Sequence, residues 1–228
     1  MTHWIEFDSA DDVAAAVADT IEDSSIYAIK QHGIFKIVLA GGSTPLNSYR
    51  ALAGRDLDFD RWQVFYGDER CLPQQHAERN HQMVAATGLI DRVQQHFIIP
   101  AELGPFNGAE SYRSIIEPAM PFDMVLLGMG EDGHTASLFP GLDWDQQPAD
   151  LSVIAVQGSP KPPADRISLS LSCLQNCRQM MVIVTGQGKR KALQQWLEGE
   201  PLPVARVADI EQASVYIEGE LMGQKNVN

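Results

Sequence analysis

Along the chain, short runs rich in β-branched and aromatic residues alternate with longer stretches in which apolar positions recur every three or four residues. FKIVLAGG (35–42), WQVFYGDE (62–69), HFIIP (96–100), FDMVLLGMG (122–130), LSVIAVQ (151–157), RISLSL (166–171), MMVIVTG (180–186) and SVYIEG (214–219) read as strands, mostly closed by Gly, Pro or Asp. ADDVAAAVADTIEDSSIYAIKQ (10–31), LNSYRALAG (46–54), AESYRSIIEPAM (109–120) and KRKALQQWLEG (189–199) read as amphipathic helices. The alternation predicts an α/β sandwich with a largely parallel central sheet flanked by helices. No repeat, low-complexity tract or long linker interrupts the chain, and the Pro-rich GSPKPPADR (158–166) is too short for a boundary. One domain over 1–228 is expected.

In open parallel sheets the ligand sits beyond the carboxyl ends of the strands, so the residues that follow each run carry the functional reading. VLAGGSTP runs through Gly41 and Gly42 into Ser43, Thr44 and Pro45, ahead of a helical pattern. Ser or Thr suits an N-cap and Pro the first helical turn. Such a junction offers backbone N–H groups, two hydroxyls and a positive helix end to an anion; without a ligand it is a capped βα turn. It has neither the Walker A nor the G-x-G-x-x-G spacing.

VFYGDERCLP sets Asp68, Glu69 and Arg70 after a strand, where an acid and a fixed cation suit proton transfer and charge stabilisation. Taken alone it reads as a surface charge cluster at a strand end. VLLGMGEDGHTASLFPG (125–141) ends a greasy run in Gly128, Gly130 and Gly133 around Glu131, Asp132 and His134, and Thr135 to Phe139 is expected to start a helix. A histidine so placed is poised to act as a base near neutral pH. His3, His32, His76, His81 and His96 lack that setting and are expected to be structural or solvated. Arg166 opens RISLSL and Lys189 follows VIVTGQG, from where both can reach an anion at the sheet edge.

Composition narrows the partners. Thirty acids against 17 bases give a net charge of −13, which argues against nucleic acid or an anionic membrane as the main partner. Any small anion must then be held by a few local cations and N–H groups. The start, MTHWIEFDSADD, has neither a basic nor an apolar leader region, and no run approaches the roughly 20 apolar residues of a membrane span. Three cysteines, Cys71, Cys173 and Cys177, are too few for a disulfide framework, so a cytoplasmic protein is expected. Cys173 and Cys177 could share a helix face, but no second Cys or His pair completes a metal site, and no metal is expected.

Taken together, LAGGSTPLNSYRAL, GDERCLP, LLGMGEDGHTASLFPG, RISLSLSCL and VTGQGKRKAL resemble the 6-phosphogluconolactonase family in order and spacing across nearly the whole chain. The resemblance implies a Rossmann-like fold and hydrolysis of 6-phospho-D-glucono-1,5-lactone to 6-phosphogluconate in the oxidative pentose phosphate pathway, with no cofactor. It implies a small sugar-phosphate substrate and a monomer or small homo-oligomer. His134, Arg70, Asp68 and Asp132 would be catalytic; Gly41, Gly42, Ser43, Thr44, Arg166 and Lys189 would hold the phosphate.

The same fold serves glucosamine-6-phosphate deaminase, whose pattern places a glutamate five positions after the histidine. Here that position is Phe139, and Arg70 stands where the deaminase usually carries an aromatic. Leu72 and Arg79-Asn80 depart from the common lactonase pattern of valine and Ser-Asn. A sugar-phosphate sensing module of a transcription regulator is a further alternative, which would call for a basic DNA-binding segment.

Overall fold

Seven runs assemble into one all-parallel sheet: β1 (His3–Phe7), β2 (Phe35–Leu39), β3 (Trp62–Tyr66), β5 (Gln95–His96), β6 (Phe122–Gly128), β9 (Cys177–Val184) and β10 (Ala213–Glu218), ordered β1-β10-β9-β6-β2-β3-β5. The computed structural model describes residues 2–222; residues 1 and 223–228, which the expected domain 1–228 includes, lie outside the described residues. β6 lies at the centre of the sheet and is buried from Phe122 to Leu127, as a strand covered on both faces must be.

Of the helices, α1 (Ala10–His32) is capped by Ser9, whose Oγ accepts from Asp12 N at 3.1 Å, and is stopped by left-handed Gly33, which donates to the Ile29 carbonyl. The others are α2 (Ser43–Ala53), α3 (Asn80–Ala85), α4 (Pro105–Ile116), α5 (Leu171–Gln175), α6 (Arg190–Leu197) and α7 (Pro203–Val207). The core is built from side chains such as Phe35, Trp62, Phe65, Tyr112, Phe122 and Ile183.

The strand order reverses at β2. From it the chain builds β3 and β5 to one side and β6, β9 and β10 to the other. The loops leaving the carboxyl ends of β2 and β6 therefore part at a topological switch point, where a crevice is expected. These are the loops that carry Gly41–Ser43 and Gly128–His134.

The sequence did not foresee a second sheet. β4 (Asp68–Arg70), β8 (Arg166–Leu169) and β7 (Val153–Val156) form an antiparallel sheet packed on α4. WQVFYGDE thus divides at Gly67, and its last residues change sheets. Pairing of β4 with β8 sets Asp68 opposite Ser168 and Arg70 directly opposite Arg166.

Other expectations are corrected. Of HFIIP only His96 joins the sheet, with Gln95 before it, and the short edge strand β1 was not anticipated. α2 begins at Ser43 with Gly42 at the cap position and no side-chain cap, so neither Ser43 nor Thr44 caps it. Cys173 lies in α5 and Cys177 opens β9, so they do not share a helix face. Thr135 to Phe139 form a turn rather than a helix start, closed by a bridge between Thr135 and Leu138. A distant partner takes a backbone group a helix would need, since Ser137 N donates to Ser168 Oγ, and Thr135 Oγ1 donates back to the Gly128 carbonyl.

Candidate active site

Period-two alternation on β4 sorts the DER triplet. Asp68 and Arg70 face the crevice at the switch point, while Glu69 points behind it. The crevice holds about 290 Å³ and is walled by Gly41 to Pro45, Asp68, Arg70, Asn80, Gly128 to Glu131, His134, Lys161, Arg166 and Lys189. All ten residues expected at the site meet here except that Asp132 stands behind His134 rather than in the wall.

The glycines of the GMGEDGH stretch have a steric reason. His134 folds back over its own turn: its carbonyl accepts from Gly130 N at 2.7 Å, and its Nδ1 lies 2.5 Å from Asp132 Oδ1. A Cβ on Gly130 would stand 2.0 Å from that Nδ1 and 2.7 Å from the carboxylate oxygen, so a side chain there is incompatible with the pair. Gly133, at φ +80°, takes the left-handed conformation that completes the turn. The imidazole packs on the Phe139 ring at a centroid distance of 4.5 Å, and the Arg166 guanidinium lies 5.4 Å from the same ring.

Burial opposes ionisation of Asp132. The His134 hydrogen bond and the charges of His134 and Lys161 outweigh it and hold the carboxyl well below the usual carboxylate range. Asp132 is thus an anion whose Oδ1 is paired with His134 Nδ1, and His134 itself lines the crevice.

Asp68 is fixed from two sides. Its Oδ1 accepts from Asn80 Nδ2 at 2.8 Å and its Oδ2 from Ser137 Oγ at 2.5 Å. Ser137 and Asn80 are both buried, and Asn80 approaches Gly41 so closely that a Cβ there would lie 2.0 Å from Asn80 Oδ1. That Oδ1 and Arg70 Nε are buried with no hydrogen-bond partner among the described residues.

Two arginines directly opposite on adjacent strands repel, and two lysines stand near them. Desolvation by burial lowers the pKa of Arg166 and of Lys189 below their ordinary values, so both cations are held at some expense to the fold. A protein of net charge −13 that gathers Arg70, Arg166, Lys161 and Lys189 around one crevice has built a site for an anion. Most donors of Arg166 are engaged, however: Nε and Nη2 donate to the carbonyls of Lys161, Pro162 and Pro163 at 3.0–3.2 Å.

Sequence reasoning missed Lys161 and Ser137. Ser137 could have been found as a hydroxyl inside the glycine-histidine block, and Lys161 as a cation following a strand. Among the described residues no group of His, Cys, Asp and Glu could hold a metal ion, and no helix is long and apolar enough to cross a membrane.

Residues 8–216 match the family described as glucosamine-6-phosphate isomerases/6-phosphogluconolactonase. The chain belongs to that family. A probable 6-phosphogluconolactonase of Schizosaccharomyces pombe is 34% identical over 203 residues, covering 79% of this chain and 78% of that protein. A 6-phosphogluconolactonase of Caulobacter vibrioides is 34% identical over 222 residues, covering 92% and 94%. Among solved structures, a 6-phosphogluconolactonase from Thermotoga maritima superposes with a TM-score of 0.85 at 26% identity, covering 96% of this chain and 99% of that one. Within the family the histidine turn, the cation cluster and the switch-point crevice fall together here as one site.

Proposed function

We propose that the crevice hydrolyses 6-phospho-D-glucono-1,5-lactone to 6-phospho-D-gluconate, in the oxidative branch of the pentose phosphate pathway and without a cofactor. The observation that carries this reading within the family is Phe139, buried against the His134 imidazole at the position where the deaminase pattern places a glutamate. Deamination with aldose–ketose isomerisation would ask for a further carboxylate beside the histidine; opening a lactone needs one base and a place for negative charge.

In this mechanism His134 Nε2 takes a proton from water as the water oxygen attacks the lactone carbonyl. Asp132 holds Nδ1–H and stabilises the imidazolium. Arg70, anchored by its Nη1 to the Glu78 carbonyl, offers its remaining donors to the oxyanion. The tetrahedral intermediate then expels the ring oxygen, which receives the proton from His134, leaving a free hydroxyl and a carboxylic acid that loses its proton to solvent as the carboxylate product forms. Asp68, held by Asn80 and Ser137, orients the sugar hydroxyls. Backbone N–H groups at Gly41 and Gly42, the hydroxyls of Ser43 and Thr44, the amino end of α2, Lys189 and Arg166 receive the phosphate.

The reading makes the protein a single cytoplasmic catalytic domain, acting as a monomer or small homo-oligomer on a small sugar phosphate. It is tested by following decay of freshly generated lactone against its spontaneous hydrolysis, with ammonia release from glucosamine 6-phosphate measured in parallel. Acceleration of lactone decay without ammonia is the expected result; ammonia at comparable rates would overturn it.

A further inference from the structure

Lys161 stands in the Pro-rich stretch between β7 and β8, and its backbone is fastened on both sides. Ser159 Oγ donates to its carbonyl at 2.9 Å and accepts from its N–H at 3.3 Å. Arg166, only 4% exposed, ties down the carbonyls of residues 161, 162 and 163. Two prolines follow directly. A loop so held brings Lys161 Nζ to 3.3 Å from Asp132 Oδ1, the same oxygen that receives His134 Nδ1.

An ion pair this open adds little to folding stability, since the lysine side chain is 40% exposed. Its placement is better explained by what it does to the pair it touches. We propose that Lys161 is a positioning residue for the Asp132–His134 pair: its ammonium shares the carboxylate oxygen, fixes the orientation of Asp132, and by its charge keeps His134 free to accept a proton from water.

The charged groups that face His134 define the direction of the effect. Its own turn supplies Glu131 and Asp132, the second sheet supplies Asp68, Arg70 and Arg166, the amino end of α6 supplies Lys189, and the Pro-rich loop supplies Lys161. Of these cations only Lys161 lies within hydrogen-bonding distance of Asp132. Its removal deletes a positive charge beside the imidazole and leaves the acids in place. The protonated, inactive imidazole is then favoured, and more alkaline conditions are needed to free the base.

The inference rests on the lactonase reading, and the experiment separates the two. The pH dependence of kcat/KM for fresh lactone is measured from about pH 5 to pH 8, where an imidazole titrates, for the parent, Lys161→Met, Lys161→Gln and Lys161→Arg. The acid limb should move to higher pH by on the order of half a unit to one unit in the Met and Gln variants, the scale of one nearby charge at a partly exposed site. The Arg variant should return it toward the parent.

The His134 ring, identified in NMR spectra by its loss in His134→Asn, should show the same displacement in a titration without substrate. An unmoved limb and ring titration in both charge-removed variants overturn the inference, as does a rise in KM with an unchanged profile, which would make Lys161 a phosphate contact. If the parent fails to accelerate lactone decay, the lactonase reading falls while the ring titration still decides what Lys161 does.

Discussion

Two carboxylate–histidine pairs lie close to the crevice, Glu69–His81 behind β4 and Asp132–His134 in the turn after β6, and their surroundings differ. Glu69 and His81 approach to 3.2 Å with side chains 1% and 7% exposed; Asp132 and His134 approach to 2.5 Å with side chains 35% and 18% exposed. Glu69 is saturated: Oε1 accepts the N–H groups of Arg70 and Asn80, Oε2 accepts that of His81, and Arg79 Nε, fully buried, lies 3.4 Å away. His81 is engaged at both ring nitrogens, Nδ1 to Glu69 and Nε2 to the Gln82 amide at 3.1 Å. His134 lines the cavity, with Nδ1 paired to Asp132. The same kind of pair is thus a structural knot where every partner is taken, as at Glu69 and His81, and in the proposed mechanism a base where one ring nitrogen is left over.

The largest expected effect breaks the knot. Glu69→Gln leaves the buried Arg79 guanidinium short of a partner, and removing one member of a buried pair costs about 3–5 kcal/mol. Because Arg79 Nη1 also reaches Glu102 at 2.8 Å, the lower end, ~3 kcal/mol, is expected in urea unfolding. Burial raises the Glu69 pKa, but the His81 hydrogen bond and three backbone N–H groups outweigh it and set the carboxyl below its ordinary 4.5. The stability it contributes is therefore present above about pH 4.5 and is lost as the pH falls through the lower folded value. Glu69→Gln should be correspondingly less sensitive to acid than the parent.

Next comes Gly130→Ala, which strikes the other pair. The added Cβ displaces the imidazole rather than the sheet, so kcat should fall on the order of 10²-fold, as for a misplacement of about 1 Å, while thermal unfolding shows a small change. A comparable loss of Tm to that of Glu69→Gln would mean that both pairs are structural. Smaller still is Lys189→Ala: loss of one charge-assisted contact, about 1.5–3 kcal/mol, should raise KM roughly ten- to a hundredfold with little change in kcat. Arg166→Ala should raise KM and also lower kcat, because it frees the loop that carries Lys161. Steady-state kinetics on the two variants distinguish these patterns.

Much of this was legible in the sequence for an identifiable reason. Parallel strands such as β6 are continuous apolar runs, and the rule that ligands sit beyond their carboxyl ends picked out Gly41, Asp68, Arg70 and His134. The antiparallel sheet was hidden because RISLSL and LSVIAVQ carry apolar runs like the others, and only tertiary pairing places them apart. Thr135 to Phe139 look helical until Ser137 finds Asp68 and Ser168, partners 69 and 31 residues distant. His81 was expected to be structural or solvated, and it is structural. Lys161 escaped notice because its loop was weighed as a boundary by composition, whereas its place beside Asp132 depends on where Arg166 fastens the loop.

The difference between the two pairs is tested most directly by the initial rate of lactone disappearance, measured side by side for the parent, His134→Asn and His81→Asn at a temperature where all are folded. His134→Asn should lose about 10²- to 10⁴-fold in kcat, the usual contribution of a general base, while keeping its Tm and its binding of 6-phosphogluconate. His81→Asn should keep kcat and lose Tm. Folded His134→Asn hydrolysing the lactone at the parent rate would contradict the account, and would make the Asp132–His134 pair a second structural knot.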